Sequence, residues 1–190
     1  RKQDRNSPVR LMMPSQRADV GLRIWNPDGT VAEKSGNGLR IFARWLVDFR
    51  DATDDLSIEL SCGIVRCQVD EEMVTVQMGQ ASFDAAAIPA TEELIFSPRP
   101  VGEVVLPLTA VGLGNPHCVV FLETDIDALP WREWGAALEV SALFPNRTNV
   151  QFARVIDGST IEARIWERGA GETSASGSSA CAIAAAAVRM

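Results

Sequence analysis

The sequence predicts an α+β fold of two pseudo-symmetric lobes, each a curled antiparallel sheet around a central helix. Three observations indicate it. Short alternating segments typical of antiparallel strands occur in both halves, and in each half a glycine-rich loop leads into a helical pattern. The strand, loop and helix of the first half also recur in the second half at a fixed offset. The predicted lobes are residues 1–90 and 91–190.

The clearest pattern is a duplication at an offset of 141 residues. Arg23-Ile24-Trp25 recurs as Arg164-Ile165-Trp166, and each copy is followed at the same distance by a Ser-Gly pair, Ser35-Gly36 and Ser176-Gly177. Tryptophan is scarce, with five among 190 residues, so chance does not explain the match. Two copies indicate related lobes, whereas a solenoid needs more.

The first lobe is predicted to contain a strand, a helix and a meander. Residues 18–26 alternate between two faces and stop at Pro27-Asp28-Gly29, a typical turn sequence. After Ser35-Gly36-Asn37-Gly38, apolar residues spaced by three and four predict a helix that begins beside Ser35. Residues 56–60, 64–69 and 74–78 predict three antiparallel strands.

The second lobe is predicted to repeat this plan. The stretch 83–100, rich in Ala and Pro, is interpreted as the crossing between the lobes. The remaining predictions are strands at 104–108, 110–113, 118–121, 149–153 and 161–166, a tight turn at 114–117, and helices at 131–138 and 178–190.

Composition limits the function. The chain is 46% hydrophobic, with a net charge of -7 and a pI near 4.8, which argues against a nucleic-acid partner and favours a small polar ligand. No apolar run reaches the length of a membrane helix and none follows the first residues as in a signal peptide, so we expect no membrane partner and a cytoplasmic protein. A homodimer is one assembly that the sequence allows.

The cysteines predict neither a disulfide framework nor a metal site. Residues 62, 67, 118 and 181 form no CxxC pair, and His117 is the single histidine, so we expect reduced thiols and no metal. Cys118 adjoins His117, but successive strand residues point to opposite faces, which argues against a Cys-His dyad. Cys62, Cys67 and Cys181 are expected to be buried structural residues.

Both glycine-rich loops lead into a helix start. Such a start presents backbone N–H groups and the positive end of the helix dipole, which suits a carboxylate or a phosphate. Ser35 and Ser176 are also suited to be ordinary N-caps, a common role for serine. The matched pair on a duplicated frame favours a ligand site.

Several motifs together resemble the diaminopimelate epimerase family over almost the whole chain. They are Asn26-Pro27-Asp28-Gly29, Ser35-Gly36-Asn37-Gly38-Leu39-Arg40, Gly114-Asn115-Pro116-His117, Asn149-Val150-Gln151-Phe152 and Glu167-Arg168-Gly169-Ala170-Gly171-Glu172-Thr173. The resemblance implies a cofactor-independent two-base isomerase that converts LL- to meso-diaminopimelate in lysine and cell-wall biosynthesis. It also implies that the reacting carbon lies between the two helix starts.

The resemblance assigns roles to individual residues. The family's two catalytic cysteines match Ser35 and Ser176, and His117 with Glu167 is implied to tune the acid and the base. The positions implied to bind substrate are Asn26, Gly36, Asn37, Asn115, Asn149, Glu167, Arg168, Gly177 and Ser178. Ser178 stands where the family usually has Thr and keeps the hydroxyl.

Serine is a poor replacement for a catalytic thiol. A thiol has a pKa near 8.5, whereas an alcohol ionises more like water, near 15.7. Seven pKa units correspond to roughly 10 kcal/mol, and a helix terminus supplies only about 1–2 kcal/mol. Ser35 and Ser176 therefore cannot simply take over the thiolate's task.

Three functions remain open at this point. The chain is an epimerase-type isomerase, or an amino-acid binding protein that keeps the ligand frame without the chemistry, or an isomerase whose base is a carboxylate such as Glu167 or Glu172. The family also has a Gly-Asn-Asp-Phe segment before the position of Arg1 and closing strands after that of Met190. We therefore expect these 190 residues to be part of a longer protein.

Overall fold

The computed structural model describes residues 9–26 and 29–190, and these residues form two compact units. The units are Arg1–Gly79 and Gln80–Met190. Each contains one sheet and a helix that begins at the predicted serine, which confirms the α+β fold of two sheet-rich lobes. Pro27 and Asp28 of the predicted turn lie outside the described residues.

The first unit is built from six strands and one helix within its described part. The sheet has the order β1-β2-β4-β5-β6, and β3 pairs with β2. The elements are β1 Val9–Met13, β2 Val20–Trp25, β3 Val31–Ala32, α1 Gly36–Arg50, β4 Asp55–Leu60, β5 Gly63–Val69 and β6 Val74–Val76.

The core of the first unit follows from two periodicities. Alternate residues of β4 and β5 face inward, so Ile58 and Val65 are buried while their neighbours are more exposed. Helix α1 packs against β5 and β6 through the stripe predicted from the sequence, of which Leu39 and Ala43 are fully buried. The helix ends at Asp51, which adopts a left-handed conformation as its C-cap.

The second unit has six strands in the order β12-β11-β10-β9-β8-β7. Two α-helices and one 3-10 turn at Ile126–Ala128 accompany the sheet in this unit. The elements are β7 Ser97–Val101, β8 Val104–Gly112, β9 Pro116–Phe121, α2 Trp131–Glu139, β10 Asn149–Val155, β11 Ile161–Glu167, β12 Gly171–Thr173 and α3 Gly177–Val188.

The central strands of the second sheet are covered on both faces. Cys118, Val120 and Phe152 belong to the core on the face where Trp131 of α2 packs. Val119 and Ala153 face the opposite way and pack with Ala182 of α3. His117 precedes Cys118 and Gln151 precedes Phe152, so both polar side chains lie on the α3 face. This confirms that His117 and Cys118 point to opposite faces.

The stretch 83–100 is an integral part of the second unit. Ile88 and Leu94 are fully buried in its core, and β7 begins at Ser97. The division of the chain therefore falls at Gly79, earlier than the boundary after residue 90 expected from the sequence. The prolines at 98 and 100 belong to strand β7, and the residues before it pack into the core of this unit.

The sheets are mixed, which corrects the expectation that they are wholly antiparallel. Strands β2 and β4 are parallel in the first unit, and β9 and β10 are parallel in the second. In both cases the connection contains a helix, α1 or α2, and a connection of that length lets the next strand run in the same direction. The remaining pairs are antiparallel, including the predicted meander β4-β5-β6.

The duplication is visible in the strand registers. Val9 pairs with Trp25 in β1-β2, and Val150 pairs with Trp166 in β10-β11, so both partners shift by the offset of 141 residues. The pairing of β2 with β3 corresponds in the same way to that of β11 with β12. Helices α1 and α3 begin at Gly36 and Gly177, again at this offset.

Candidate functional site

In the first unit three of the four candidate residues, Ser35, Gly36 and Asn37, are consecutive at the start of α1. Ser35 has an extended backbone, with φ of -142° and ψ of 111°, and its Oγ accepts a hydrogen bond from Gly38 N at 3.1 Å. Ser35 is therefore the N-cap of α1. The first backbone N–H groups of an α-helix have no acceptor within the helix itself. Gly36 is buried, and the Asn37 side chain accepts a hydrogen bond from Arg40.

A cation that sequence reasoning missed lies against this helix start. A Cβ atom on Gly38 would lie 2.9 Å from Nε of Arg10, so the absence of a side chain at Gly38 lets Arg10 approach. Burial lowers the pKa of this guanidinium, and its Nε has no hydrogen-bond partner within the described ranges 9–26 and 29–190. At the offset of 141 Arg10 corresponds to Gln151, a position that the sequence also did not single out.

Asn26 lies in the turn after β2. Its backbone N donates to Thr30 O at 2.8 Å, its Nδ2 lies 3.1 Å from Thr30 Oγ1, and its carbonyl accepts from Gly29 N at 3.0 Å. Gly29 has φ of 85°, which suits glycine. Asn26 is thus held at the end of the strand that leads to Ser35.

In the second unit Ser176 caps α3 as Ser35 caps α1. Its φ of -146° and ψ of 120° match those of Ser35 closely, and its Oγ accepts from Ser179 N at 3.5 Å. The Ser178 hydroxyl lies 3.5 Å away. The duplicated sequence therefore builds the same cap twice.

Glu167 lies beside Ser176 and distinguishes the second helix start from the first. Burial raises the pKa of its carboxyl, and a hydrogen bond with the Ser176 side chain acts in the opposite direction. The corresponding position in the first unit is Asn26, an amide that cannot titrate. By this correspondence, Ser176 has a carboxyl group that can take or give a proton beside it, whereas the matching position for Ser35 is an amide.

His117 belongs to a chain of buried polar side chains. Its Nε2 lies 3.0 Å from Oδ1 of Asn115, and its Nδ1 lies 3.1 Å from Nε2 of Gln151. Gln151 Nε2 also donates to Ser179 Oγ at 3.0 Å. In this arrangement of the two amides, Asn115 Oδ1 faces Nε2 as an acceptor and Gln151 Nε2 faces Nδ1 as a donor, which corresponds to the imidazole tautomer with its proton on Nε2.

Asn149 joins two loops of the same site. Its Nδ2 donates to Pro116 O at 2.9 Å, and its Oδ1 accepts from Arg168 N at 3.1 Å. Arg168 Nη1 also donates to Asn146 O at 3.1 Å. These bonds connect the turn that carries Asn115 to the bend that carries Arg168.

In the second unit, six of the eight predicted site residues are connected to one another, and the other two, Gly177 and Ser178, follow Ser176 in the first turn of α3. The connections run through hydrogen bonds and chain neighbours and close a ring that begins and ends at α3. The ring follows Ser176, Glu167, Arg168, Asn149, Pro116, Asn115, His117, Gln151 and Ser179. Gln151 and Ser179 were missed because their side-chain types alone carry no signal of a site.

Glu172 and three of the cysteines are not joined to this ring of hydrogen bonds. Glu172 is exposed and forms a bidentate pair with Arg132 at 2.7 and 2.8 Å, which lowers the pKa of its carboxyl. Cys118 is fully buried, which raises its pKa to about 12, and Cys67 is also buried. Cys62 was expected to be buried but is exposed in the turn between β4 and β5, where its Sγ donates to Glu33 O at 3.2 Å.

Two further features concern the described part of the chain as a whole. Residues 9–26 and 29–190 include no group of three or more His, Cys, Asp or Glu side chains that could hold a metal ion. Over the same residues, none of the helices has both the length and the apolar character needed to cross a membrane.

Comparison with known proteins gives a consistent result. The family model described as diaminopimelate epimerase matches residues 5–84 and 109–190. Diaminopimelate epimerase 2 of Nostoc sp. is 46% identical over 184 residues, which cover 94% of this chain and 64% of that protein. Diaminopimelate epimerase of Pelotomaculum thermopropionicum is 40% identical over 187 residues, 94% of this chain and 66% of its own length. The chain thus spans about two thirds of these relatives.

Solved structures share the fold at low identity. A hydroxyproline epimerase from Agrobacterium vitis, with bound trans-4-hydroxy-L-proline, matches with a TM-score of 0.70 and 16% identity, over 96% of this chain and 61% of that one. A phenazine biosynthesis protein of the PhzF family from Bacillus anthracis matches with a TM-score of 0.61 and 18% identity, over 94% and 64%. These likenesses concern the fold alone.

Proposed function

This chain belongs to the diaminopimelate epimerase family, and we propose on that premise that it is an isomerase acting at the alpha carbon of an amino acid. The proposed reaction is the stereoinversion of LL- to meso-diaminopimelate in lysine and cell-wall biosynthesis, without a cofactor. A biosynthetic enzyme of this kind is expected in the cytoplasm, and a homodimer is the assembly we propose to test for.

The observation that carries the proposal is the pair of capped helix starts. Ser35 and Ser176 have nearly the same backbone angles and the same capping bond to the third helical residue. Stereoinversion by two bases needs one group to take the alpha proton and another to return a proton from the opposite face. A duplicated frame supplies two equivalent positions for such groups.

The same helix starts suit the rest of the substrate. Proton removal leaves negative charge on the alpha carbon and its carboxylate, and backbone N–H groups at a helix N-terminus stabilise such charge. We propose that the substrate is held by side chains and backbone at these starts and in the loops joined to them. The residues are Asn26, Gly36, Asn37, Asn115, Asn149, Glu167, Arg168, Gly177 and Ser178.

We propose that Ser35 and Ser176 occupy the family's two proton-carrier positions. An alcohol is a far weaker acid than a thiol, so proton transfer through these hydroxyls is expected to be slow. His117 supports the site through Asn115 and Gln151, and we assign it a positioning role in the neutral form. Glu167 is the titratable group that contacts Ser176.

Ligand binding tests the substrate class directly. Isothermal calorimetry with meso-diaminopimelate is expected to show saturable binding, and Arg168→Ala is expected to weaken it by about 10-fold or more, as for loss of a charged hydrogen bond. Arg99→Ala is the matched control, since Arg99 pairs with Glu92 away from the candidate residues. Absence of saturable binding to the native chain would contradict the proposal.

A carboxylate-based isomerase is the second candidate, because one observation favours it. Glu167 is partly buried with a raised pKa and a hydrogen bond to Ser176, so it can serve as the proton carrier of the second unit. Glu172 does not suit this role, since Arg132 engages both oxygens and lowers the pKa of the carboxyl, which weakens it as a base. If Ser176→Ala retains turnover and Glu167→Gln abolishes it, the carboxylate is the base.

A further inference from the structure

A buried carboxylate outside the predicted site holds the bend that carries Glu167 and Arg168. Glu139 is the last residue of α2 and is only 6% exposed. Its Oε1 accepts from Gly169 N at 2.8 Å and from Arg147 Nη2, and its Oε2 accepts from Trp166 Nε1 at 2.7 Å. Three donors from three different chain positions therefore converge on one carboxylate.

The three contacts match the hydrogen-bonding chemistry of a carboxylate. A carboxylate only accepts hydrogen bonds, and all three neighbouring groups only donate. A glutamine at this position would turn an N–H group toward another N–H, and an apolar side chain would leave the three partly buried donors without this acceptor. Packing of α2 alone would not call for a charged residue here.

The contacts flank the two residues implied to bind the substrate. Trp166 immediately precedes Glu167, and Gly169 immediately follows Arg168. The Arg168 backbone N is anchored separately, to Asn149 Oδ1. Glu139 thus fixes both ends of the Glu167-Arg168 pair while Asn149 fixes its middle.

We propose that Glu139 is a positioning residue that holds Glu167 and Arg168 in the geometry needed to bind the substrate. This inference rests on the proposed function and names a residue that does not itself touch the substrate. Its effect passes through the backbone of the bend, by way of Gly169 N and the indole of Trp166.

The chain offers a matched control on the same segment. Glu172 also forms a carboxylate-arginine pair with a residue of α2, Arg132, at 2.7 Å. This second pair is exposed, and exposed ion pairs contribute little. Glu172→Gln therefore removes the same charge close by without removing the buried contacts.

The test compares Glu139→Gln with Glu172→Gln in the full chain. We expect Glu139→Gln to move the amide proton resonance of Gly169 and to raise the calorimetric Kd for meso-diaminopimelate about 10-fold or more. Glu172→Gln is expected to leave the Gly169 resonance in place and to change the Kd by less than about 2-fold. A Kd for Glu139→Gln within 2-fold of the native value would overturn the proposal.

Two further measurements keep the outcome decisive. If Glu139→Gln does not fold, Trp166→Phe removes the indole N–H bond together with part of the ring and keeps a phenyl group, and an unchanged Kd in that variant overturns the proposal. If the native chain binds no diaminopimelate, the proposed function fails, and the hold of Glu139 on the bend is then decided by the Gly169 resonance alone.

Discussion

At the scale of single residues, the two capping serines are alike but their surroundings differ. Ser176 has the Glu167 carboxyl as a neighbour, whereas the residue corresponding to Glu167 in the first unit is Asn26. Arg10 lies against the first helix start and corresponds to Gln151. The two copies therefore share the backbone conformation of the cap but differ in the titratable side chains around it.

The raised pKa of Glu167 makes a prediction about stability. The folded protein binds this proton more tightly than the unfolded chain, so the associated stabilisation is complete below the ordinary glutamate pKa and is lost as the pH rises through the folded-state value. Glu167→Gln does not titrate. We therefore expect its free energy of unfolding, relative to the native chain, to increase with pH across this range, as measured by urea titrations at several pH values.

Glu172→Gln provides the opposite sign. Arg132 lowers the pKa of Glu172, so its contribution is present above the ordinary glutamate pKa and is lost as the pH falls through the folded-state value. The relative stability of Glu172→Gln should therefore fall, not rise, with increasing pH. If the relative stability of Glu167→Gln also falls with increasing pH, the assigned environment of Glu167 is contradicted.

Single residues also show what the sequence could and could not predict about the site. The sequence placed Ser35 and Ser176 at helix starts and offered N-capping as the alternative to a ligand site; the structure shows that both are N-caps, and such a role is readable from sequence because capping is a local interaction. Glu139 was not predicted, because its partners Trp166 and Gly169 lie far along the chain and no local pattern marks a buried carboxylate. The roles of the predicted site residues stay predictions until ligand binding is measured.

At the scale of elements, the helices and most strands were predicted. The segments 104–108 and 110–113, predicted as two strands, form the single strand β8 Val104–Gly112, and β1, β3, β7 and β12 were not predicted. Helix α1 follows from its apolar stripe, α3 from its alanine-rich sequence, and the meander β4-β5-β6 from alternation. Strand β7 contains Pro98 and Pro100, and proline is unfavourable in a central strand, so the sequence does not indicate a strand here. The two prolines are tolerated because β7 lies at the edge of the sheet. Strands β3 and β12 are too short to show a period.

The contact of α2 with β11 depends on a glycine. A Cβ atom on Gly135 would lie 3.0 Å from both Cβ and Cγ of Trp166, closer than ordinary packing allows. This approach also places the Trp166 indole beside Glu139, one helical turn further along α2.

Gly135→Ala is therefore expected to destabilise the protein despite the better helix propensity of alanine. Crowding costs about 1–3 kcal/mol and propensity returns up to about 1 kcal/mol, so we expect a net loss of about 1 kcal/mol or more in the free energy of unfolding. Gly158→Ala is the control, since no atom lies within 4 Å of the added Cβ and its φ is not positive. Equal stability of the two variants would refute the tight contact.

At the scale of the whole molecule, the repeated strand-loop-helix unit predicted most of the architecture. It predicted two related lobes, and the registers of β1-β2 and β10-β11 agree residue by residue at the offset of 141. It did not predict the parallel pairs, because the direction of β4 and β10 depends on the length and path of the preceding connection. Family membership agrees with this frame.

The central claim is that this frame is built for proton exchange at an alpha carbon, with residues 35 and 176 as the two proton carriers. Incorporation of solvent deuterium at the alpha carbon of LL-diaminopimelate tests it most directly. We expect the variant Ser35→Cys/Ser176→Cys to exchange at least about 10³-fold faster than the native chain, because the thiol is several pKa units more acidic. No exchange by the folded double variant, or equal rates in the two proteins, would contradict the claim.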